Sequence, residues 1–148
     1  MTEVAFYHLT RKPLERALPE LLEKVLERGM RAVVLTGSEE RVRALDAHLW
    51  SYDKASFLPH GAAGDGDADR QPIWLTAEPE NPNAADVLIL VDGRDVADKS
   101  GYARCLDMFN GLDEDAVAAA RTRWQGARAA GHACTYWKQG ERGWERGA

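Results

Sequence analysis

Arg31-Ala-Val-Val-Leu-Thr36-Gly37-Ser38-Glu-Glu-Arg-Val-Arg-Ala-Leu-Asp-Ala-His48-Leu-Trp50 is the stretch that decides the fold. Its apolar opening, Arg31 to Thr36, has the length and composition of a buried strand. Gly37 turns the chain, and Ser38, three residues before Arg41, suits the amino-terminal cap of a helix. Val42, Leu45, His48 and Leu49 then recur at helical spacing, which predicts a helix to about Trp50. The same order comes just before it. Glu3-Val-Ala-Phe-Tyr-His-Leu9 is rich in strand formers. From Pro13 onward Leu14, Leu18, Leu21, Leu22, Val25 and Leu26 recur every three or four residues, with Gly29 as a stop. Pro19 removes a backbone donor, so this helix either starts near Pro19 or is irregular in its first turn. Two strand–helix units joined by short connections predict a parallel sheet with crossover helices.

Further along, Tyr52 to Arg70 reads as loop. Pro72-Ile-Trp-Leu-Thr76 and Asp86-Val-Leu-Ile-Leu-Val91 read as strands, the second apolar enough to be covered on both faces. A helix is expected around Gly101 to Asp107. A longer one is expected from Asp113 to Ala130, with Asp113-Glu-Asp115 at the positive end of its dipole. Ala116, Ala119, Ala120, Gly126 and Ala127 are small enough to let that helix lie close to the sheet. Gly131 ends it, and His132 to Trp137 reads as a last strand. The expected architecture is α/β, a single three-layer, Rossmann-like domain over residues 1–138 with a central mostly parallel sheet flanked by helices. Residues 139–148 are expected to be a polar, frayed C-terminal tail.

The 148 residues, 45% hydrophobic and 29% charged, fit one globular domain and exclude disorder throughout. No apolar stretch is long enough to cross a bilayer, and the amino terminus is not a secretory signal, so no membrane role is expected. Cys105 and Cys134 are the only cysteines; they are read as reduced thiols in a cytoplasmic protein. The net charge of −5 argues against nonspecific nucleic-acid binding by the whole surface. That charge is unevenly spread: Arg121 to Ala148 carries a net +4, leaving −9 on residues 1–120. A basic patch on an acidic body can attract an acidic peptide, a phosphate or a nucleic-acid backbone, and it also fits a solvated helix face.

Motifs for catalysis and cofactors fail in turn. Gly61, Gly64 and Gly66 are in the wrong order and place for a dinucleotide loop, and no Gly-Lys-Ser or Gly-Lys-Thr occurs. Asp65, Asp67 and Asp69 alternate like calcium ligands, but Arg70 and Thr76 occupy the positions that need glycine and glutamate. His8, His48, His60 and His132 show no metal-ligand spacing. No catalytic residue, cofactor or metal is expected. One constellation survives. Arg121, Trp124 and Arg128 project from one face of the long helix, where an indole between two guanidinium groups can hold an aromatic side chain beside a carboxylate. A half-buried tryptophan flanked by surface arginines fits the same residues equally well. Arg123 and Gln125 point elsewhere.

Several segments now add up to a family resemblance: Phe6-Tyr7-His8-Leu9, Leu49-Trp50, Ser56-Phe57-Leu58-Pro59-His60, Gln71-Pro72-Ile73-Trp74-Leu75, Asn83-Ala84-Ala85-Asp86-Val87-Leu88-Ile89 and the run from Arg121 to Gly131. In this order they resemble the chi subunit of the bacterial DNA polymerase III holoenzyme, an accessory protein of the clamp-loader assembly. The resemblance implies a noncatalytic α/β domain that binds the acidic, phenylalanine-terminated C-terminal tail of single-stranded-DNA-binding protein. It links that protein to the clamp loader and so meets DNA only indirectly. The positions that match the family's peptide site are Arg121, Trp124 and Arg128, with Phe109 and Asn110 at the preceding turn. Trp124 stands where a tyrosine can occur. Val117 stands where some members carry a lysine, so one contact is lost or supplied by Arg123. The second partner implied is the psi subunit or another clamp-loader component, with Trp50, Phe57 and Leu58 as the suspected contact. A nucleotide-binding α/β enzyme and a direct DNA-binding module remain the alternatives.

Overall fold

Strand formers at both alternating positions make Glu3–Leu9 a strand, β1, with Val4, Phe6 and Leu9 buried and Ala5 and Tyr7 partly open. The computed structural model describes residues 2–51, 59–62, 66–140 and 143–147. After β1 come α1 (Leu14–Glu27), β2 (Ala32–Leu35), α2 (Glu39–Ser51) and β3 (Gly61–Ala62). A 3-10 turn at Ala68–Arg70 leads to β4 (Ile73–Thr76) and β5 (Val87–Leu90). Then follow β6 (Arg104–Asn110), α3 (Glu114–Ala129), β7 (Ala133–Gly140) and β8 (Gly143–Arg146). Ser38 Oγ accepts from the Arg41 N–H at 3.1 Å, the cap its position predicts for α2. Asp113 caps α3 by accepting from the N–H groups of Asp115 and Ala116.

The strands form one sheet in the order β3-β4-β2-β5-β6-β1-β7-β8. Every pairing is parallel except β7 with β8. Helices α1 and α2 bury Leu18, Leu22, Leu45 and Leu49 against one face, where Val34, Ile89 and Leu75 meet them. Each such side chain contributes about 1.5–3 kcal/mol when fully buried. Helix α3 covers the other face, where Ala120 and Ala127 let it approach Val4, Phe6 and Cys105. Of the small residues expected to face the sheet, Ala119 and Gly126 lie in solvent. The expected three-layer α/β architecture is present.

Three readings need correction. The helix expected around Gly101 to Asp107 is instead strand β6, paired in parallel with both β1 and β5. It is buried on both faces from Cys105 to Phe109, so it shows no alternation of polarity. The frayed tail from Gln139 is also replaced: Gln139 and Gly140 complete β7, and Gly143–Arg146 returns antiparallel as β8. Within the stretch read as loop, Gly61 and Ala62 pair with Trp74 and Leu75 as a short edge strand. Tyr52 to Leu58 and residues 63–65 lie outside the described residues.

The connections out of β1 and β6 diverge, β1 feeding α1 on one face and β6 feeding α3 on the other. Between the carboxyl ends of these neighbouring strands lies a crevice of about 730 Å³. This is the switch-point position where open α/β sheets commonly bind ligands.

Candidate functional site

Two places on the fold are therefore candidates, the switch-point crevice and the outer face of α3. The crevice is charge-balanced. Arg41 bridges Glu15 at 3.1 Å and Asp92 at 3.2 Å. Arg123 is held by Asp107 at 2.6 Å, and Lys12 by Glu20 at 2.9 Å. The β1–α1 loop, which in nucleotide-binding folds offers its N–H groups to phosphate, offers them here to a side chain. Gln139 Oε1 accepts from Thr10, Arg11 and Lys12 at 2.8, 2.6 and 2.9 Å. Gln139 was missed in the sequence because it was assigned to a tail, and its partners are more than 120 positions away.

The face of α3 has a different character. Arg121 and Arg128 are exposed, and Trp124 between them is half-buried. The Trp124 ring meets Phe6 edge-on at 5.3 Å and Tyr136 at 6.4 Å. Burial raises the Tyr136 phenol above its usual pKa, and the charge of Arg121 opposes the shift. Burial likewise raises the Cys134 thiol, with Arg128 opposing. The two arginines are two turns apart on α3, about 10 Å along its axis, and their charges reach Tyr136 and Cys134 of the neighbouring β7. Helix α3 forms one side of this face, and Cys134 and Tyr136 of β7, packed against the same core cluster as Trp124, form the other. Alternation in the sequence puts Cys134, Tyr136 and Lys138 on one side of β7, and the sheet order makes that the side facing α3.

Phe109 and Asn110, expected at the turn before α3, are instead the last two residues of β6, and they do not open onto solvent together. Phe109 is buried against His8 and Tyr136, with ring centroids at 5.1 and 6.4 Å. Asn110 is exposed, and its Oδ1 accepts from the Leu112 N–H at 3.0 Å, which shapes the turn. Arg123 cannot replace a lost cationic contact on this face. It is buried with its guanidinium on Asp107, Nε to Oδ2 at 2.6 Å and a second nitrogen to Oδ1 at 3.0 Å. Val117 is half-buried beside Trp124 in the core cluster on this side of the sheet.

Trp50, at the end of α2, is 55% exposed, and its ring lies over the buried His60 at 4.3 Å. His60 Nε2 in turn meets Asp46 at 2.9 Å. Phe57 and Leu58, grouped with Trp50 in the sequence reading, lie outside the described residues. No cluster of three or more metal-ligating side chains occurs among the described residues, and no helix is long and apolar enough to span a membrane.

Residues 1–135 match the model of the family described as DNA polymerase III chi subunit, HolC. The chain is 33% identical over 97 residues to a probable DNA polymerase III subunit chi of Rickettsia prowazekii, covering 66% of this chain and 59% of that protein's length. It is 24% identical over 119 residues to the DNA polymerase III subunit chi of Escherichia coli, covering 80% of each. With the match running from β1 into β7, the chain belongs to the DNA polymerase III chi subunit family.

Proposed function

We propose that this protein is a noncatalytic adaptor of the replication machinery, working in the cytoplasm, that receives the acidic C-terminal tail of single-stranded-DNA-binding protein on the face that α3 shares with β7. The observation that carries this reading is the half-buried Trp124 ring, in edge contact with Tyr136, between the exposed Arg121 and Arg128 on the same helix. Arg121 and Arg128 pair with the carboxylates of the tail, and Trp124 and Tyr136 receive its terminal ring. Charge-assisted hydrogen bonds of this kind are the stronger ones, and at an exposed site they weaken as salt rises. Trp50, packed on His60 at the end of α2 yet 55% exposed, is assigned to the contact with psi or another clamp-loader component.

Isothermal titration with the tail peptide tests the assignment. Arg121→Ala should weaken binding by about 1–3 kcal/mol, the range for removing a charged hydrogen-bond partner. Unchanged affinity would place the peptide elsewhere. Titration with a bare oligonucleotide separates the adaptor from a direct DNA-binding module, since the net charge of −5 keeps duplex and single strands off the body. A nucleotide enzyme would show thermal stabilisation by nucleotides, which the occupied β1–α1 loop does not favour.

A further inference from the structure

The β7–β8 hairpin extends beyond residue 135, where the family match ends, and it builds a second groove on the opposite face of the sheet from α3. On that face α1 packs mainly over β6 and α2 over β3 and β4, and among the described elements no helix packs as closely over β7. The opening is a groove of about 460 Å³ between α1 and the hairpin. It continues past Leu21, Lys24 and Trp144 into a second hollow of about 660 Å³. Its floor is aliphatic, from Ala5, Leu21, Val25 and Leu106, and its wall is aromatic, from Tyr7, Trp137 and Trp144.

The rim is cationic. Lys24, Arg28 and Arg104 border the first hollow, and Arg11 and Lys12 the second. The carboxylates there are already engaged, Glu3 with Arg104 at 3.4 Å and Glu20 with Lys12 at 2.9 Å. Arg11, Lys24 and Arg28 have no carboxylate at salt-bridge distance among the described residues.

We infer that the groove between α1 and the β7–β8 hairpin docks an acidic amphipathic helix of another polypeptide, laid beside α1 with its apolar stripe on the sheet at β7. An aliphatic floor asks for apolar side chains, and a helix supplies the layer that the rest of this face already has. Unpaired cations on the rim ask for acidic flanks. A second copy of this chain is disfavoured, because a two-fold contact would set these cations against one another. A nucleic acid is disfavoured too. Tyr7 and Trp144 meet at 79° with centroids 4.9 Å apart, so they form no stacked platform, and the Trp137 indole N–H is spent on Thr135 Oγ1 at 3.2 Å.

The test selects displayed, helix-biased peptides of 14 residues, the length of α1, against the full chain. Recovered peptides should carry an apolar stripe with acidic flanks. They should bind at least about tenfold more weakly to a Lys24→Glu, Arg28→Glu double variant, a difference of roughly 1.4 kcal/mol. They should also bind more weakly to Trp144→Ser, while all three proteins keep the same circular dichroism and the same affinity for the tail peptide at α3. Neutral or basic peptides, or peptides indifferent to these substitutions, would overturn the inference. So would a thymidine oligonucleotide whose binding falls with Arg28→Glu, or a concentration-dependent dimer abolished by Trp144→Ser. Loss of tail-peptide binding through Arg121→Ala alone leaves this groove untouched, so the two readings fail separately.

Discussion

The Nε2–H of His48 on α2 donates to the backbone carbonyl of Glu15 in α1, the one helical acceptor that Pro19 leaves without its i+4 donor. The proline expected to break or delay α1 is thus accommodated inside it, with the helix running unbroken from Leu14. A neighbouring helix supplies the missing hydrogen bond. His48→Ala should therefore destabilise the protein by about 1 kcal/mol, the cost of losing a hydrogen bond to a partly buried acceptor that water can reach. In a Pro19→Ala background the restored N–H of residue 19 serves the same carbonyl, and the cost of His48→Ala should fall. A double-mutant cycle by urea denaturation measures the coupling, and additive effects would show that the two residues do not share this acceptor.

Much of the fold was legible because periodicity alone marks its elements. β1, α1, β2, α2, β4, β5 and α3 announce themselves through apolar spacing and caps such as Ser38 and Asp113. β6 was not legible because Asp107 interrupts its apolar run, and the charge that makes Asp107 tolerable, Arg123, is 16 residues away on α3. β8 was missed for a related reason. Its Gly143-Trp-Glu-Arg146 has little strand character, and the pairing of Gln139 with Trp144 depends on a hairpin. On the candidate face, the helical side of Arg121, Trp124 and Arg128 could be read from spacing. The strand side of Cys134 and Tyr136 needed the sheet order.

The same ion pair yields a second prediction. Arg123→Ala should cost about 3–5 kcal/mol, because it leaves a buried carboxylate unpaired, whereas Arg123→Met with Asp107→Leu should be neutral or stabilising. Burial already raises the pKa of Asp107, with Arg123 opposing. Without Arg123 the folded carboxyl holds its proton to higher pH than the unfolded one. The deficit of Arg123→Ala should then shrink as pH falls from 8 toward 5, read from urea midpoints at each pH.

Gly111 faces His8 so closely that an added Cβ would overlap the imidazole ring. The ring cannot swing away without cost, since Nε2 donates to the Gly111 carbonyl at 3.3 Å and Nδ1 accepts from the Tyr136 hydroxyl. Gly111→Ala should destabilise by about 1–3 kcal/mol. It should also weaken tail-peptide binding, because displacing His8 moves Tyr136 on the proposed face. His8→Ala should relieve the steric part, so the double variant should melt higher than Gly111→Ala alone, and a lower melting temperature would refute the contact.

Clamping by Gln139 predicts a local effect. Gln139→Ala removes the acceptor shared by three consecutive N–H groups. These groups lie in a partly buried loop that water can reach, so the stability loss should be modest, about 1–2 kcal/mol. The amides of Thr10, Arg11 and Lys12 should exchange with solvent markedly faster, while those of β5 should be unaffected. Uniform acceleration would mean that Gln139 supports the whole fold rather than this loop.

The two cysteines allow the proposed face to be watched without disturbing it. Cys105 is fully buried, and burial pushes its thiol up to about 12, so native protein should not label it at pH 8. In the unfolded chain that thiol ionises near its ordinary value of 9.0. Its contribution to stability is therefore complete below that pH and is lost as pH rises toward 12, a loss that Cys105→Ala should abolish. Cys134 is half-exposed beside Arg128 and should react slowly but measurably. An acidic tail bound along α3 both covers this thiol and offsets the charge that favours its thiolate. Saturating tail peptide should therefore slow Cys134 labelling several-fold, and labelling at an unchanged rate would place the peptide away from β7.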